Sequence, residues 1–179
     1  TVWLAGANAL TGSMNVTDGW LSVTGSGLLT SGMVNVSGPN AFLSLNDSLQ
    51  TIGTLRLMAG TVTAGTLVAG NYFLESGSLD ARLQGGALVT KSTSGTAWLA
   101  GVNALTGSMN ISDGWLGVSG SGLLTSGTVT LSGSNALLWL ENTTQTVGTL
   151  RLINGTVTSG TLVAGSYILE SGFIDARLQ

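Results

Sequence analysis

The chain has 179 residues and a formal net charge of -3, with five basic and eight acidic side chains and neither Cys nor His. These counts exclude a metal site built on His or Cys, a Ser-His-Asp triad, a Cys nucleophile and a disulfide framework. Five basic residues cannot supply the phosphate contacts of nucleic-acid binding, so we expect no nucleic-acid partner. Apolar residues make up 43% of the chain but occur in short runs, none approaching the ~20 residues of a membrane-spanning helix.

The sequence repeats itself over most of its length. Residues 1–84 recur without a gap as residues 96–179, and 60 of the 84 aligned positions are identical. Residues 85–95 (GGALVTKSTSG) complete the first unit, and the second unit stops before their counterpart. We therefore predict two long repeats, 1–95 and a truncated 96–179, which form one continuous solenoid cut from a longer tandem array.

Short strands follow one another along each unit. In chain order, the apolar-polar-apolar alternation of half-buried strands occurs at residues 14–16 (MNV), 21–23 (LSV), 34–36 (VNV), 43–45 (LSL) and 55–57 (LRL). Glycine separates these segments and recurs too often for a stable helix. The segments fall into glycine-marked rows of 17–22 residues, which a β-sandwich or a β-propeller does not explain. The pattern predicts an all-β fold, a right-handed parallel β-helix, with about five coils per 95-residue repeat and nine to ten in total.

Differences between the two units separate interior from surface. Val16 is replaced by Ile111 and Phe73 by Ile168, which keeps apolar character and predicts interior positions. Ser44 is replaced by Trp139, and so large an added ring is expected on the outside. Four asparagines in similar turn contexts are expected to bond local backbone or to stack as short amide ladders; they are Asn8, Asn40, Asn103 and Asn135.

One motif carries a resemblance to a known family. Residues 53–67 (GTLRLMAGTVTAGTL) and their copy, residues 148–162, resemble the passenger-associated transport repeats of bacterial autotransporters. The Gly/Ser/Thr/Asn-rich texture of the whole chain is similar to the β-helical stalks of large bacterial surface adhesins. The resemblance implies secretion, an extracellular or bacterial cell-surface location and no catalytic residue.

We accordingly expect a structural repeat segment that forms a rigid rod, a stalk, or an element of a fibre or sheath. Its expected partners are neighbouring repeats of the same protein, through end-to-end or lateral self-association. Two alternatives stay open: an adhesin-type module that binds extracellular glycans or host surfaces, and, more remotely, a polysaccharide-active enzyme. No cofactor is expected.

The acidic residues provide the candidates for chemistry. Asp80 and Arg82 stand two residues apart, on one face of a strand, with Glu75 nearby, and this group allows either acid-base chemistry or a surface ion pair. The group recurs in both units and no long loops surround it, so we expect no enzyme activity. The acids are dispersed and match no calcium-binding pattern, so we also expect no metal site.

The tryptophans provide the candidates for binding. Trp3, Trp20, Trp98 and Trp115 recur with apolar neighbours, which favours packing in the core or at corners. Trp139 lacks an aromatic counterpart and is the best candidate for an exposed ring that stacks on a sugar. The possible surface-binding residues are therefore Trp139, Asp80 and Arg82.

Overall fold

The computed structural model describes residues 1–6, 10–27, 29 and 32–179, and within them the chain is all-β with no helix. Seventeen strands join one sheet through parallel pairings. The strands are β1 (Val2–Leu4), β2 (Met14–Val16), β3 (Gly19–Val23), β4 (Met33–Val36), β5 (Ala41–Ser44), β6 (Leu49–Leu57), β7 (Thr61–Thr63), β8 (Thr66–Leu74), β9 (Gly77–Leu79), β10 (Arg82–Gly85), β11 (Leu88–Leu99), β12 (Ala104–Leu105), β13 (Met109–Val118), β14 (Gly122–Leu131), β15 (Leu137–Leu152), β16 (Thr156–Leu169) and β17 (Phe173–Leu178).

The strands stack on three faces, which we name A, B and C in the order in which the chain reaches them. β1, β3, β5, β7 and β9 lie on face A, β10 and β12 on face B, and β2 and β4 on face C. Longer strands turn corners: β11 passes from face C to face A, and β15 passes from face A through B to C. The result is a parallel β-solenoid of about nine turns, which confirms the predicted fold class. The right-handed sense stays a prediction.

Face C repeats in step with the sequence. Five successive pairings run from Met14 through Val34, Leu55, Tyr72 and Val89 to Met109. Met109 is the counterpart of Met14 in the second unit. The strands predicted at residues 14–16, 34–36 and 55–57 pair in the predicted register, so the inward alternation was readable from the sequence.

Face A repeats with a displaced register. Five pairings that begin at Val2 arrive at Leu99 rather than at the counterpart Ala97. The displacement arises where β11 meets β9, since Ala97 pairs with Gly77 and Leu99 with Leu79. Because side chains alternate between the two sides with period two, this two-residue slip keeps the apolar side inward.

Apolar side chains fill the inside of the coil. Leu43, Leu55 and Leu116 are among the fully buried residues, and each such side chain contributes about 1.5–3 kcal/mol by leaving water. Val16 and Ile111 are buried as predicted. The interior prediction for Phe73 and Ile168 is wrong, because they are 40% and 46% exposed. In β8 the neighbouring residues on either side of Phe73 point inward, and alternation turns Phe73 outward.

A buried tyrosine closes the corner between faces B and C. The Tyr72 hydroxyl accepts a hydrogen bond from the Ala69 N–H (3.1 Å) and donates to the Leu67 carbonyl (2.8 Å). Burial raises the pKa of Tyr72 to about 12, against the opposing effect of the backbone groups of Ala69 and Gln84. Tyr167 repeats the arrangement with Ala164 and Leu162 in the second unit, where the ring is only partly buried.

Glycine is required where one corner lies directly on another. A Cβ atom added to Gly38 would overlap the Thr17 carbonyl of the coil before it, and one added to Gly133 would overlap the Ser112 carbonyl. The two glycines are counterparts at the corner between faces C and A, so both units depend on the same close approach of backbones.

The amide ladder forms at other residues than the predicted ones. Asn35 Nδ2 donates to Asn15 Oδ1 of the preceding coil (2.7 Å), on the outside of face C. Asn103 bonds nearby backbone, as expected, by donating to the Gly101 carbonyl. Asn8 lies outside the described residues. In the part of the chain that the structure describes, no helix has the length and apolar character to cross a membrane.

Candidate functional site

Face A carries the tryptophans on its outer side. The prediction of core or corner packing is wrong for Trp3, Trp20 and Trp115, which are 67%, 42% and 48% exposed. Trp98 is half-buried. The cause is strand alternation: Leu116 turns inward and is fully buried, which places its neighbour Trp115 outside.

Two tryptophans meet across an intervening coil. Trp98, Gly117 and Trp139 stand in register on three successive coils. A Cβ atom at Gly117 would overlap the six-membered ring of Trp98, so that ring lies on the backbone of the next coil. The ring centroids of Trp98 and Trp139 are 5.1 Å apart at an interplanar angle of 57°. The glycine therefore permits the contact between the two rings.

Trp115 and Leu137 extend this surface sideways. They pair with each other on adjacent coils, two residues before Gly117 and Trp139 respectively. Trp98, Trp115 and Trp139 thus occupy three successive coils of one face, and Leu137 lies on the same coil as Trp139. We name these four residues the tryptophan platform.

In the first unit, serines occupy the positions of Gly117 and Trp139. Trp3 stands in register with Ser22, and Ser22 with Ser44. Asn46 Nδ2 donates to Ser22 Oγ (2.6 Å), and Ser44 Oγ donates to Asn46 Oδ1 (3.2 Å). Trp3 lies in β1, which pairs with β3 alone among the described strands, and is exposed. A different aromatic pair, Trp20 stacked on Phe42, lies nearby with centroids 5.1 Å apart.

The outer side of face A has almost no charge. None of its strand residues from β1 to β17 is Lys or Arg, and its acidic groups are Asp175 of β17 and the exposed Glu141, which follows Trp139 by two residues in β15 where that strand leaves the face. Hydroxyl groups fill many of the outward positions, including Thr96, Thr156 and Thr158. The face therefore offers aromatic rings and neutral hydrogen-bonding groups rather than an electrostatic field.

Asp80 and Arg82 lie at a corner rather than on one strand. β9 ends before Asp80 and β10 begins at Arg82, so the strand geometry behind the predicted ion pair does not apply. Both side chains are exposed, and Asp80 accepts a hydrogen bond from Ser78 Oγ (2.5 Å). Neither residue is one of the four that form the tryptophan platform, although Ser78, the partner of Asp80, stands in register with Trp98.

The ion pairs seen among the described residues lie on face C. Arg56 contacts Glu75 of the next coil at 2.6 Å, and Arg151 contacts Glu170 at 2.9 Å. The first pair borders an open depression of about 320 Å³, whose lining also includes Met33, Phe73 and Thr90. Glu75 is the one carboxylate that lines it, whereas the usual routes of glycoside hydrolysis use two.

A buried lysine was missed by the sequence prediction. Lys91 is fully buried in β11, and its ammonium group donates to the carbonyls of Thr93 and, at 3.1 Å, Asp113. Burial lowers the pKa of Lys91, while the carboxylates of Asp113 and Glu75 oppose that shift. The signal was present in the sequence: Val89 and Lys91 are two residues apart on one strand, so an inward Val89 implies an inward Lys91.

Within the described ranges, no group of three or more Asp and Glu residues is placed to hold a metal ion. Comparisons with protein-family models, with curated proteins and with solved structures find no match. The fold and the platform therefore carry the functional argument by themselves.

Proposed function

We propose that this chain is a structural repeat segment of a large secreted or cell-surface protein, in which the solenoid acts as a rigid rod, a stalk or an element of a fibre. The observation that carries the proposal is the parallel ladder of face C, which passes from the first unit into the second without a change of register. Each coil contacts its neighbours, so stability and stiffness add along the axis.

The junction between the units supports neighbouring repeats as the natural partners, end to end or side by side. β11 pairs in parallel with β9 of the first unit and with β13 of the second, so the parallel ladder continues across the join with a two-residue slip on face A. The resemblance of residues 53–67 and 148–162 to autotransporter passenger repeats supports an extracellular or bacterial cell-surface location. The proposal includes no catalysis, because the predicted candidates Asp80 and Arg82 lie outside the open depression that contains Glu75.

Spin-label distances test the rod. The chain has no Cys, so introduced cysteines are the only labelling sites. Asn15→Cys with Asn110→Cys spans five pairings on the outside of face C, and Asn15→Cys with Arg151→Cys spans seven. A rigid rod gives narrow distributions near ~24 Å and ~34 Å. Broad distributions for both pairs would contradict the proposed function. The same labelled chains in concentrated urea serve as the flexible reference.

Surface exposure on cells tests the location. An antibody raised against the folded chain should stain intact, unpermeabilised cells of the source, and an added protease should remove the staining. Staining that requires permeabilisation would contradict a cell-surface location, unless the antigen is recovered from the medium.

A second candidate function is binding to extracellular glycans at the side of the rod. The exposed ring of Trp115, beside the paired rings of Trp98 and Trp139, favours it. Monomeric proteins rarely expose large contiguous apolar patches, and those that they do expose often mark binding sites.

A further inference from the structure

We propose that the tryptophan platform binds a neutral polysaccharide, with sugar rings packed on Trp98, Trp115 and Trp139. The inference deepens the second candidate function by naming its site and its ligand class. It does not depend on how rods are joined, and the spin-label distances above test the rod independently of it.

The three tryptophan rings lie on the outer side of face A, where solvent reaches them. Trp115 is 48% exposed, and Trp98 and Trp139 are half-buried. Gly117 lets the Trp98 ring lie on the sheet and leaves its other side outward. Sugar rings carry a face of C–H groups that packs on such an aromatic surface, while the indole N–H groups remain available as donors.

The absence of cationic side chains from the described strands of face A and the distance between its rings both favour a neutral sugar chain. With no Lys or Arg in the strands of face A, a sulfated or carboxylated glycan would find no counter-charge there. The hydroxyls of Thr96, Thr156 and Thr158 border the rings and match the hydroxyls of a neutral sugar. The centroids of Trp98 and Trp139 are 5.1 Å apart, close to the length of one pyranose ring, and Trp115 extends the aromatic surface sideways on the coil between them.

The platform requires two coupled differences from the first unit. Ser22 corresponds to Gly117 and Ser44 to Trp139. A serine at position 117 would place its Cβ within the ring of Trp98, so tryptophan at position 139 alone would not recreate the pair. The first unit keeps exposed Trp3 and the stacked pair of Trp20 and Phe42, so it differs from the platform by the missing ring at position 44 and by the serine at position 22.

The test is a titration of the full chain with cellohexaose and with xylohexaose, followed by tryptophan fluorescence and calorimetry. We expect saturable binding of at least one probe with one site per chain. Trp139→Ser should weaken it by about tenfold, which corresponds to about 1.4 kcal/mol of lost stacking. Trp3→Ser removes an exposed ring outside the platform and should leave the affinity unchanged. Circular dichroism checks that each variant is folded.

A variant that gains a binding site distinguishes an effect on the platform from a general loss of folded structure. The double change Ser22→Gly with Ser44→Trp, made in the first unit, should raise the stoichiometry from one site to two. Failure of both probes to bind, or binding that Trp139→Ser does not weaken, would overturn the inference. So would concentration-dependent self-association that Trp139→Ser abolishes, because a second copy of the chain would then be the occupant of the platform.

Discussion

In the first unit two serines of face A occupy the positions of Gly117 and Trp139 of the second unit, while Trp20 and Phe42 form an aromatic stack beside them. Ser22 and Ser44 of the first unit are tied together by Asn46, whereas Gly117 of the second unit is covered by Trp98, which contacts Trp139. The strands and the pairing offsets beneath are equivalent, since Leu21 pairs with Leu43 as Leu116 pairs with Leu138. The fold of the coil is therefore specified by its inward residues and its corners, whereas the outward residues can change their chemical character without changing the fold.

The largest effect is expected at a position that the two units share. Gly38→Ala and Gly133→Ala each force a Cβ into the backbone of the preceding coil, and each should lower the free energy of unfolding by about 3 kcal/mol or more. Urea denaturation of both variants checks this. Gly12→Ala is the control, because a Cβ there meets no atom within 4 Å, and it should change stability by less than about 0.5 kcal/mol. If one of the two corners tolerated alanine, the units would not share this corner.

A smaller effect should differ between the units. Tyr72→Phe removes the partner of the buried Ala69 N–H and Leu67 carbonyl and should cost about 2 kcal/mol. Tyr167→Phe removes the same contacts from a partly exposed site, where water can replace them, and should cost about 1 kcal/mol or less. Equal losses in urea denaturation would contradict the argument from burial.

The pH dependence of stability that arises from the ionisation of Tyr72 provides a second test of the same site. Its pKa is raised to about 12, so above pH ~10 the unfolded chain loses the phenolic proton while the folded chain keeps it. The unfolded state then binds fewer protons, and stability should fall as the pH rises from ~10 towards ~12. Tyr72→Phe should lose most of this decline, which stability measurements across that pH range can detect.

The smallest effect is expected at the join between the units. Lys91→Met removes a buried ammonium from the interior of face C, where the residues at this place in the coils before and after are Leu74 and Ile111. The substitution should raise the free energy of unfolding by about 1 kcal/mol at neutral pH. Because the pKa of Lys91 is lowered, the unfolded chain binds more protons between that pKa and ~10.4, and wild-type stability rises with pH there. The advantage of the variant should shrink over the same interval.

Leu74→Met, at the same place in the preceding coil, controls for the methionine side chain. Its difference in stability from the wild type should be independent of pH. A Lys91→Met advantage that stays constant from neutral pH to ~10.4 would contradict the assignment of that pH dependence to the buried ammonium.

The fold was largely readable because its signal is local. Alternation within residues 14–16, 34–36 and 55–57, together with glycine spacing, was sufficient to predict parallel coils and their register on face C. The candidate site was not readable in the same way. The contact between Trp98 and Trp139 depends on a glycine in the coil between them, and such a relation appears only after the register of face A is known.

The remaining errors have the same origin. The prediction of an Asp80–Arg82 ion pair assumed a continuous strand, but the chain turns a corner between the two residues. Alternation with Val89 could have predicted that Lys91 points inward, but not its bond to the Asp113 carbonyl, which belongs to the next coil. Side-chain alternation predicts which way a residue points, whereas its partners on neighbouring coils depend on the number of residues in each turn.

The number of residues per turn varies widely within this molecule. Thr66 pairs with Arg82, 16 residues later, whereas Gly122 pairs with Gln145, 23 residues later, and the stack accommodates both. The differences are absorbed at corners and bulges, where the ladder has gaps or register shifts. Insertions at corners therefore lengthen a turn without disturbing the coils above and below it. A protein built this way can acquire new loops during evolution at little risk to its fold, whereas a single residue inserted within a strand would turn its interior outward.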